Sequence, residues 1–203
     1  KLHRERLVDA LHANIPKKLI VIAAPPGYGK TTLLADFHHH TEIPTCWVRL
    51  TEADADVMHL ASLLQHSLER RFRRLRGRPN LDALASASPA ALARSFASAI
   101  ETHVGEAFAV LMDDVHLINS SRPVLEFLDE FLACQPGQVT LIAAGREVLD
   151  ISLAKLMAEG NLAGFGPQDL ALTPMELTEV ARLQLWVNLD AAEVDSLLEE
   201  TRG

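Results

Sequence analysis

The chain has 203 residues, and 27 acidic against 19 basic side chains give it a formal net charge of −8. A hydrophobic content of 48% with 23% charged residues excludes a disordered chain. The longest apolar run is far shorter than the roughly 20 residues of a membrane-spanning helix, so we expect no membrane partner. The acidic balance disfavours a domain whose main task is to bind nucleic acid. Cys46 and Cys134 are far apart in sequence, which predicts free thiols and a cytoplasmic location.

Strand and helix patterns alternate along the chain. Apolar side chains at helical spacing predict a first helix that ends near Pro16, and a buried strand follows over residues 19–23. The later predicted elements, in chain order, are a helix over 31–40, a strand over 46–50, a helix from Thr51 that is broken at Pro79, a helix over 90–104, a strand over 107–112, a helix over 123–134, a strand over 139–144, and a helix with a short strand between 151 and 172. This alternation predicts an α/β fold with a parallel sheet covered on both faces.

A strong helix-start pattern follows the last predicted strand. Thr173 fits the N-cap, Pro174 the first helical position, and Glu176 the acidic first turn. The pattern predicts a nucleotide-binding domain over residues 1–172 and the start of a helical lid domain over 173–203. Because the chain begins at Lys1 rather than Met, we expect it to be a piece of a longer protein in which the lid continues.

The most specific pattern in the sequence is the phosphate loop, residues 24–32, which lies between a predicted strand and a predicted helix. It matches the Walker A pattern G-x-x-x-x-G-K-[ST], except that Ala24 replaces the first glycine. Gly27 and Gly29 allow successive N–H groups to turn inward around a phosphate, and the following helix directs its positive end at the same anion. An ordinary glycine-rich turn is the alternative for this segment.

The phosphate loop supplies the expected nucleotide contacts. The predicted binding residues are Pro26, Gly27, Tyr28, Gly29, Lys30, Thr31 and Thr32. Lys30 is expected to reach the β- and γ-phosphates of ATP or ADP, and the Thr31 hydroxyl to ligate Mg²⁺.

Two carboxylates follow the predicted strand over 107–112. Asp113 is expected to hold Mg²⁺ and Asp114 to orient and deprotonate the attacking water, because ligands of α/β sheets bind at the carboxyl ends of the strands. A strand-ending Asp-Asp turn is the alternative. His116 either contacts Asp114 or is structural. Arg146 follows another predicted strand and fits a γ-phosphate sensor, with an exposed surface arginine as its alternative.

These three segments resemble the STAND-class P-loop ATPases, in particular the amino-terminal ATPase module of large LuxR-type, maltose-activator-like transcriptional regulators. The residues that carry the resemblance are 24–33, 47–50, 110–118 and 172–177. The resemblance covers nearly the whole chain. It implies a three-layer P-loop sandwich of the ASCE type, in which the strand before Arg146 lies between the strands that precede the phosphate loop and Asp113.

The resemblance also implies a nucleotide switch. ADP would hold a closed monomer, ATP with an inducer would allow self-association, and slow hydrolysis would reset the switch. DNA would be contacted only through a domain absent from this chain. Arg4 or Arg6 would lie near the adenine base, and Gly145 stands where the family usually has threonine.

Two other features are set aside. Six arginines between residues 70 and 78 predict a solvated helix face, with a DNA contact, a partner interface or an inter-subunit phosphate contact as alternatives. Residues 38–40 are three consecutive histidines, and consecutive helical side chains point about 100° apart, so they do not form a metal site with each other.

The sequence is compatible with three functions. The first is an ATP-binding and slowly ATP-hydrolysing regulatory switch. The second is a module that holds ADP or ATP for oligomerisation with little turnover. The third is another P-loop enzyme, such as an AAA+-like ATPase or a small-molecule kinase; Tyr28 and the paired aspartates disfavour the kinase.

Overall fold

Five strands form one parallel sheet in the computed structural model, which describes residues 2–187 and 189–201. The strands are β1 (Leu19–Ala23), β2 (Thr45–Arg49), β3 (Phe108–Asp113), β4 (Val139–Gly145) and β5 (Leu162–Phe165). The helices are α1 (Glu5–Asn14), α2 (Lys30–His40), α3 (Val57–Arg71), α4 (Pro89–His103), α5 (Arg122–Cys134), α6 (Leu153–Ala158), α7 (Pro167–Leu170), α8 (Pro174–Val180) and α9 (Ala191–Thr201). The predicted α/β fold with a parallel sheet is confirmed.

The strand order is β2-β3-β4-β1-β5, so β4 lies between β1 and β3. This is the order that the family resemblance implies. In register, Ala23 of β1 pairs with Gly145 of β4, and Asp113 of β3 pairs with Ala144. The carboxyl ends of the three central strands are therefore level with one another. The segments that follow them meet at one edge of the sheet, which we call the carboxyl edge.

Helices cover both faces of the sheet, as the three-layer prediction requires. Alternate strand residues point to opposite faces. Val110 and Met112 belong to the hydrophobic cluster that includes α3, α4 and α5, whereas Ala109 and Leu111 belong to the cluster that includes α1 and α2. Every residue of β3 and β4 is buried, which places the residues at their ends in the centre of the carboxyl edge.

The prediction of one helix from Thr51 to Pro79 is wrong. The side chain of Asp54 accepts the N–H of Thr51 at 2.7 Å and closes a short 3₁₀ turn over Glu52–Ala55. Asp56 then caps a separate helix, α3, by accepting the N–H groups of Met58 and His59, each at 2.9 Å. Two capping carboxylates within three residues start two elements, because each satisfies the free N–H groups of a different turn.

The six arginines between residues 70 and 78 do not share a helix face. α3 ends at Arg71, because the buried side chains of Phe72 and Leu75 draw the chain into the core through a second 3₁₀ turn, Arg73–Leu75. All six arginine side chains are exposed, and they lie on the end of α3, on this turn and on the loop that follows.

The helix start predicted at Thr173 is confirmed. Its hydroxyl accepts the N–H of Glu176 at 3.2 Å, while the carboxylate of Glu176 accepts the N–H of Thr173 at 2.9 Å. This reciprocal capping begins α8, and α9 follows after a π-helical turn over Ala181–Leu185. Among the described residues, no helix is both long enough and apolar enough to cross a membrane.

Candidate nucleotide site

The phosphate loop connects β1 to α2 at the carboxyl edge. Gly27 has φ +93° and Gly29 has φ +76°, which lie in the left-handed region that favours glycine. Ala24 differs from these two glycines in its backbone conformation. It is buried, and its N–H continues the sheet by donating to the carbonyl of Gly145 at 3.2 Å. Ala24 has no positive φ, so this position needs no glycine, and the departure from the Walker A pattern leaves the loop intact.

Lys30 begins α2 and is 9% exposed. Its ammonium group donates to the carbonyls of Ala24 at 2.7 Å and Pro25 at 2.9 Å. Burial lowers the pKa of Lys30, the carboxylates of Asp113 and Asp114 oppose that shift, and Arg146 adds to it. Lys30 thus lies within electrostatic reach of both acids and of the arginine.

Asp113 ends β3 and is 1% exposed. Its Oδ1 accepts the N–H of Asp114 at 3.1 Å, whereas its Oδ2 is buried with no hydrogen-bond partner in the described part of the chain. Burial raises the pKa of Asp113, and the side chain of Thr31 is the main group that opposes this shift. A buried carboxylate oxygen that lacks a partner, close to a threonine hydroxyl, fits the oxygen ligands that Mg²⁺ prefers.

Asp114 follows at φ +62°, in the left-handed region that aspartate tolerates better than most residues. Its carboxylate lies 3.6 Å from Nε of Arg49, at the end of β2, and 4.0 Å from Nδ1 of His116. Arg49 is a site residue for which the sequence carries no specific signal, because only the pairing of β2 with β3 brings it to Asp114.

His116 lies beside Asp114 without forming a hydrogen bond to it. Its Nδ1 is buried and has no hydrogen-bond partner among the residues that the structure describes. The 4.0 Å separation from Oδ1 of Asp114 is too long for a hydrogen bond. The imidazole therefore faces the carboxylate at the distance of an ion pair.

Gly145 allows the turn after β3 to approach the end of β4. A Cβ atom at this position would lie 2.8 Å from Cγ2 of Val115 and 3.2 Å from the backbone nitrogen of His116. A threonine at this position therefore needs the Val115 turn to move, which explains the departure from the family pattern. Arg146 follows directly and is exposed at the same edge.

The other predicted contact residues lie around the loop. Tyr28 is partly buried and packs against the cluster that includes α1 and α2. Pro26 is exposed at the tip of the loop, and Thr31 and Thr32 are exposed on the first turn of α2. All seven predicted phosphate-loop residues thus lie on one continuous turn at the carboxyl edge.

The two arginines expected near the base, Arg4 and Arg6, both bond to residues around the start of α8. The guanidinium of Arg4, which is 5% exposed, donates to the carbonyls of Leu170 and Ala171, both at 2.9 Å, and to Glu176 at 3.0 Å. Arg6 donates to the carbonyl of Asp169 at 2.9 Å and also faces Glu176. We call these contacts the N-terminal joint, because they tie the start of α1, with Arg4 just before it and Arg6 in its first turn, to the start of α8.

The joint controls the charge of Glu176. Burial by itself would raise the pKa of this carboxyl, but the hydrogen bond from Arg4, the N–H of Thr173 and the charges of Arg4 and Arg6 together hold it below its ordinary value. The carboxylate thus pairs with two guanidinium groups and also accepts the N–H of Thr173 at the start of α8.

Comparison with known proteins gives the family. The family model described as an AAA domain matches residues 14–151, which include the phosphate loop, both acids and Arg146. Members of this P-loop family bind nucleotide with Mg²⁺ in general.

Curated relatives match nearly the whole chain. The HTH-type transcriptional regulator MalT of Cronobacter sakazakii is 28% identical over 212 residues, and the protein of the same name from Klebsiella pneumoniae is 26% identical over 211 residues. Each alignment covers 98% of this chain, and the chain spans 22% of the length of each relative.

Solved structures share the fold. The Walker-type ATPase paby2304 of Pyrococcus abyssi has a TM-score of 0.57 at 18% identity, and the match covers 98% of this chain and 63% of that one. The ORC1 protein of Aeropyrum pernix, solved in complex with DNA, has a TM-score of 0.59 at 9% identity, over 92% of this chain and 50% of that one. With the family match and the relatives, these likenesses lead to one conclusion: the chain belongs to the AAA domain family, as a P-loop ATPase domain related to the MalT regulators.

Proposed function

We propose that the chain is the ATP-binding and slowly ATP-hydrolysing switch domain of a signal-transducing transcriptional regulator. The observation that carries this proposal is the meeting of Lys30, Asp113, Asp114 and Arg146 at one edge of the sheet, around a loop shaped for phosphate. The relatives are transcriptional regulators of which the chain spans 22%, so DNA contact is assigned to parts outside this chain.

The residues take separate roles in this proposal. The phosphate loop holds the phosphates through its backbone N–H groups and through Lys30, which leaves its two carbonyl partners to reach them. Thr31 and Asp113 would hold Mg²⁺, which would supply positive charge beside the phosphates. Arg146 faces the γ-phosphate.

Hydrolysis is assigned to Asp114. Its carboxylate takes a proton from a water molecule whose oxygen attacks the γ-phosphorus, and ADP leaves with the pair of electrons of the broken P–O bond. Asp114 is partly exposed and is not buried like Asp113, so water can reach it. Arg49 competes weakly for the same carboxylate.

The switch needs a second body that responds to the nucleotide. We assign residues 1–172 to the nucleotide-binding domain and 173–203 to the start of a helical lid. The N-terminal joint gives the two parts a contact through which they can respond to each other, because Arg4 and Arg6 bridge from the start of α1 to Glu176 of α8. Self-association in the ATP state is part of the same proposal.

A second candidate is an ADP- or ATP-holding oligomerisation module with little turnover. The contact between Arg49 and Asp114 favours it, since the guanidinium lies against the carboxylate that would otherwise orient the attacking water. The two candidates share the phosphate loop and differ only in what Asp114 does.

Replacement of Asp114 separates the two candidates. We expect Asp114→Asn to bind ATP as the wild type does and to lose turnover by about 100- to 1000-fold, because it removes the proton acceptor. The measurement is ATP affinity by fluorescence titration together with phosphate release at saturating Mg-ATP. Equal turnover in the two proteins would reject Asp114 as the base and favour the oligomerisation module.

A further inference from the structure

Three side chains of the types that bind metal ions meet far from the phosphate loop. Asp36 and His40 lie four residues apart near the carboxyl end of α2, and His3 comes from the segment before α1. One ligand atom from each lies within 4.8 Å of the other two. α2 begins at Lys30, so this cluster and the nucleotide site lie at opposite ends of one helix.

The distances within the cluster are close to those of a coordination shell. Oδ1 of Asp36 lies 3.0 Å from Nδ1 of His3 and 3.2 Å from Nδ1 of His40. A tetrahedral Zn²⁺ ion with ligands at about 2.0–2.2 Å holds its ligand atoms roughly 3.3–3.6 Å apart. The two distances to Asp36 are a few tenths of an ångström short of this spacing, and the ligand atoms of the two imidazoles lie within 4.8 Å of each other.

The cluster has a buried base and an open top. The side chain of Asp36 is 4% exposed, whereas those of His3 and His40 are 41% and 49% exposed. The two imidazole rings are stacked, with their centroids 4.0 Å apart and an angle of 29° between their planes. A metal ion binds in the plane of an imidazole ring, so at least one of the two rings must rotate before both can bind the same ion. Their exposed edges leave space for this rotation, for entry of the ion and for a water molecule as fourth ligand.

The charge of Asp36 has no fixed cation beside it. Oδ2 accepts the backbone N–H of Arg4 at 2.7 Å, but the guanidinium of Arg4 extends away to Glu176. Within the described part of the chain, the ion pairs of Asp36 are with His3 and His40, which are charged only when protonated. The carboxyl end of a helix also attracts positive charge. A divalent cation here would neutralise the carboxylate of Asp36 and interact favourably with the carboxyl end of α2.

The donor atoms select the type of ion. Two imidazole nitrogens with one carboxylate oxygen suit Zn²⁺ and similar transition-metal ions, whereas Mg²⁺ and Ca²⁺ prefer oxygen ligands. We propose that His3, Asp36 and His40 form a three-ligand site for a divalent cation of the Zn²⁺ class. The bound ion ties the N-terminal segment to the helix that begins at the phosphate loop.

Hydrogen bonds alone are the alternative explanation of the cluster. Nδ1 of His40 also lies 2.9 Å from the carbonyl oxygen of Asp36, and both imidazoles already contact the carboxylate. Such a cluster holds the segment without an ion. The two explanations differ in one respect: a metal site needs imidazole nitrogens at both positions, whereas a hydrogen bond to Asp36 can come from an amide.

The test measures Zn²⁺ binding to the untagged, chelator-treated chain by titration calorimetry. Excess Mg²⁺ in the buffer keeps hard-cation ligands such as Asp113 occupied. We expect one Zn²⁺ per chain and a rise in melting temperature on binding. His3→Ala and His40→Ala should each lower the affinity at least about tenfold, and Co²⁺ should give the visible absorption of a four-coordinate, nitrogen-ligated ion.

Two further variants keep the result independent of folding. His39 is an exposed neighbour of His40 and is not part of the cluster. The variant His39→Ala should therefore bind Zn²⁺ as the wild type does. His40→Gln keeps a hydrogen-bonding group and should melt like the wild type without Zn²⁺ but show no rise with it. The proposal is overturned if the wild type binds no Zn²⁺, if His3→Ala and His40→Ala bind it unchanged, or if His39→Ala loses as much affinity as they do.

Discussion

The carboxyl edge of the sheet and the N-terminal joint both bury charged side chains, but they satisfy them differently. In the joint, Arg4 donates to two carbonyls and to Glu176, whose carboxylate also caps α8. At the carboxyl edge, Oδ2 of Asp113 and Nδ1 of His116 are buried without hydrogen-bond partners among the described residues.

This difference distinguishes a structural contact from a binding site. A buried polar group without a partner costs about 1–3 kcal/mol, and a protein tolerates that cost where a ligand supplies the missing partner. The joint is complete within the chain, so its loss should lower stability. The carboxyl edge is complete only with a ligand, so changes there should alter binding and turnover more than folding.

The largest expected effect is on nucleotide binding at the carboxyl edge. Lys30→Ala should lower ATP affinity roughly 1000-fold, because it removes two or more charge-assisted hydrogen bonds to phosphate. Fluorescence titration with ATP measures the effect, and Lys155→Ala, at an exposed lysine on α6, is the control that should bind normally. Unchanged affinity of Lys30→Ala would contradict the assignment of the phosphate loop.

The next effect is on stability at the N-terminal joint. Arg4→Ala should lower the free energy of unfolding by about 3 kcal/mol, because it removes the hydrogen bonds of a buried guanidinium and leaves the partly buried Glu176 without its main partner. Urea unfolding measures the change. ATP affinity should stay within about twofold of the wild type, and a selective loss of affinity with normal stability would instead place Arg4 at the base.

The joint should also depend on pH. Glu176 has a pKa below its ordinary value of 4.5 in the folded chain, so its ionised form stabilises the fold at pH values above 4.5. This contribution disappears as the pH falls below 4.5 and through the folded pKa. The difference in unfolding free energy between wild type and Glu176→Gln, measured from pH 7 to pH 3, should therefore shrink on acidification. A difference that is constant over this range would contradict the ion pair.

The smallest expected effect concerns Arg49. Its side chain is 73% exposed, and an exposed ion pair contributes at most about 1 kcal/mol. Arg49→Ala should therefore raise ATP turnover by no more than about fivefold, because it frees the carboxylate of Asp114. Phosphate release at saturating Mg-ATP measures the rate. A fall in turnover would mean that Arg49 assists the reaction and does not restrain it.

Most of the fold could be predicted because local patterns and short-range chemistry agree along the chain. The apolar runs of β1, β3 and β4 are buried on both faces, and each is bounded by residues that stop a strand. The error in the predicted Thr51 helix had a local cause: Asp54 and Asp56 are both good caps, and only the backbone conformation shows that they cap different turns.

Parts of the candidate site could not be predicted, because the contacts that form them join residues far apart in sequence. The approach of Arg49 to Asp114 depends on β2 lying beside β3. Helical spacing predicts no metal site among the three consecutive histidines themselves, and the structure brings His40 together with Asp36 and His3 instead. The last partner is 33 residues from Asp36, a separation that helical spacing cannot reveal.

The sequence by itself determined the parallel α/β sheet, the phosphate loop and the acidic strand end, because each depends on residues within one strand and the turn that follows it. Only the tertiary structure decided that position 24 does not require glycine, that the space at position 145 is too small for threonine, and that Arg4 binds Glu176. The physical reason is that these last properties depend on how closely distant segments approach. Packing of the whole chain sets those distances, and no local pattern encodes them.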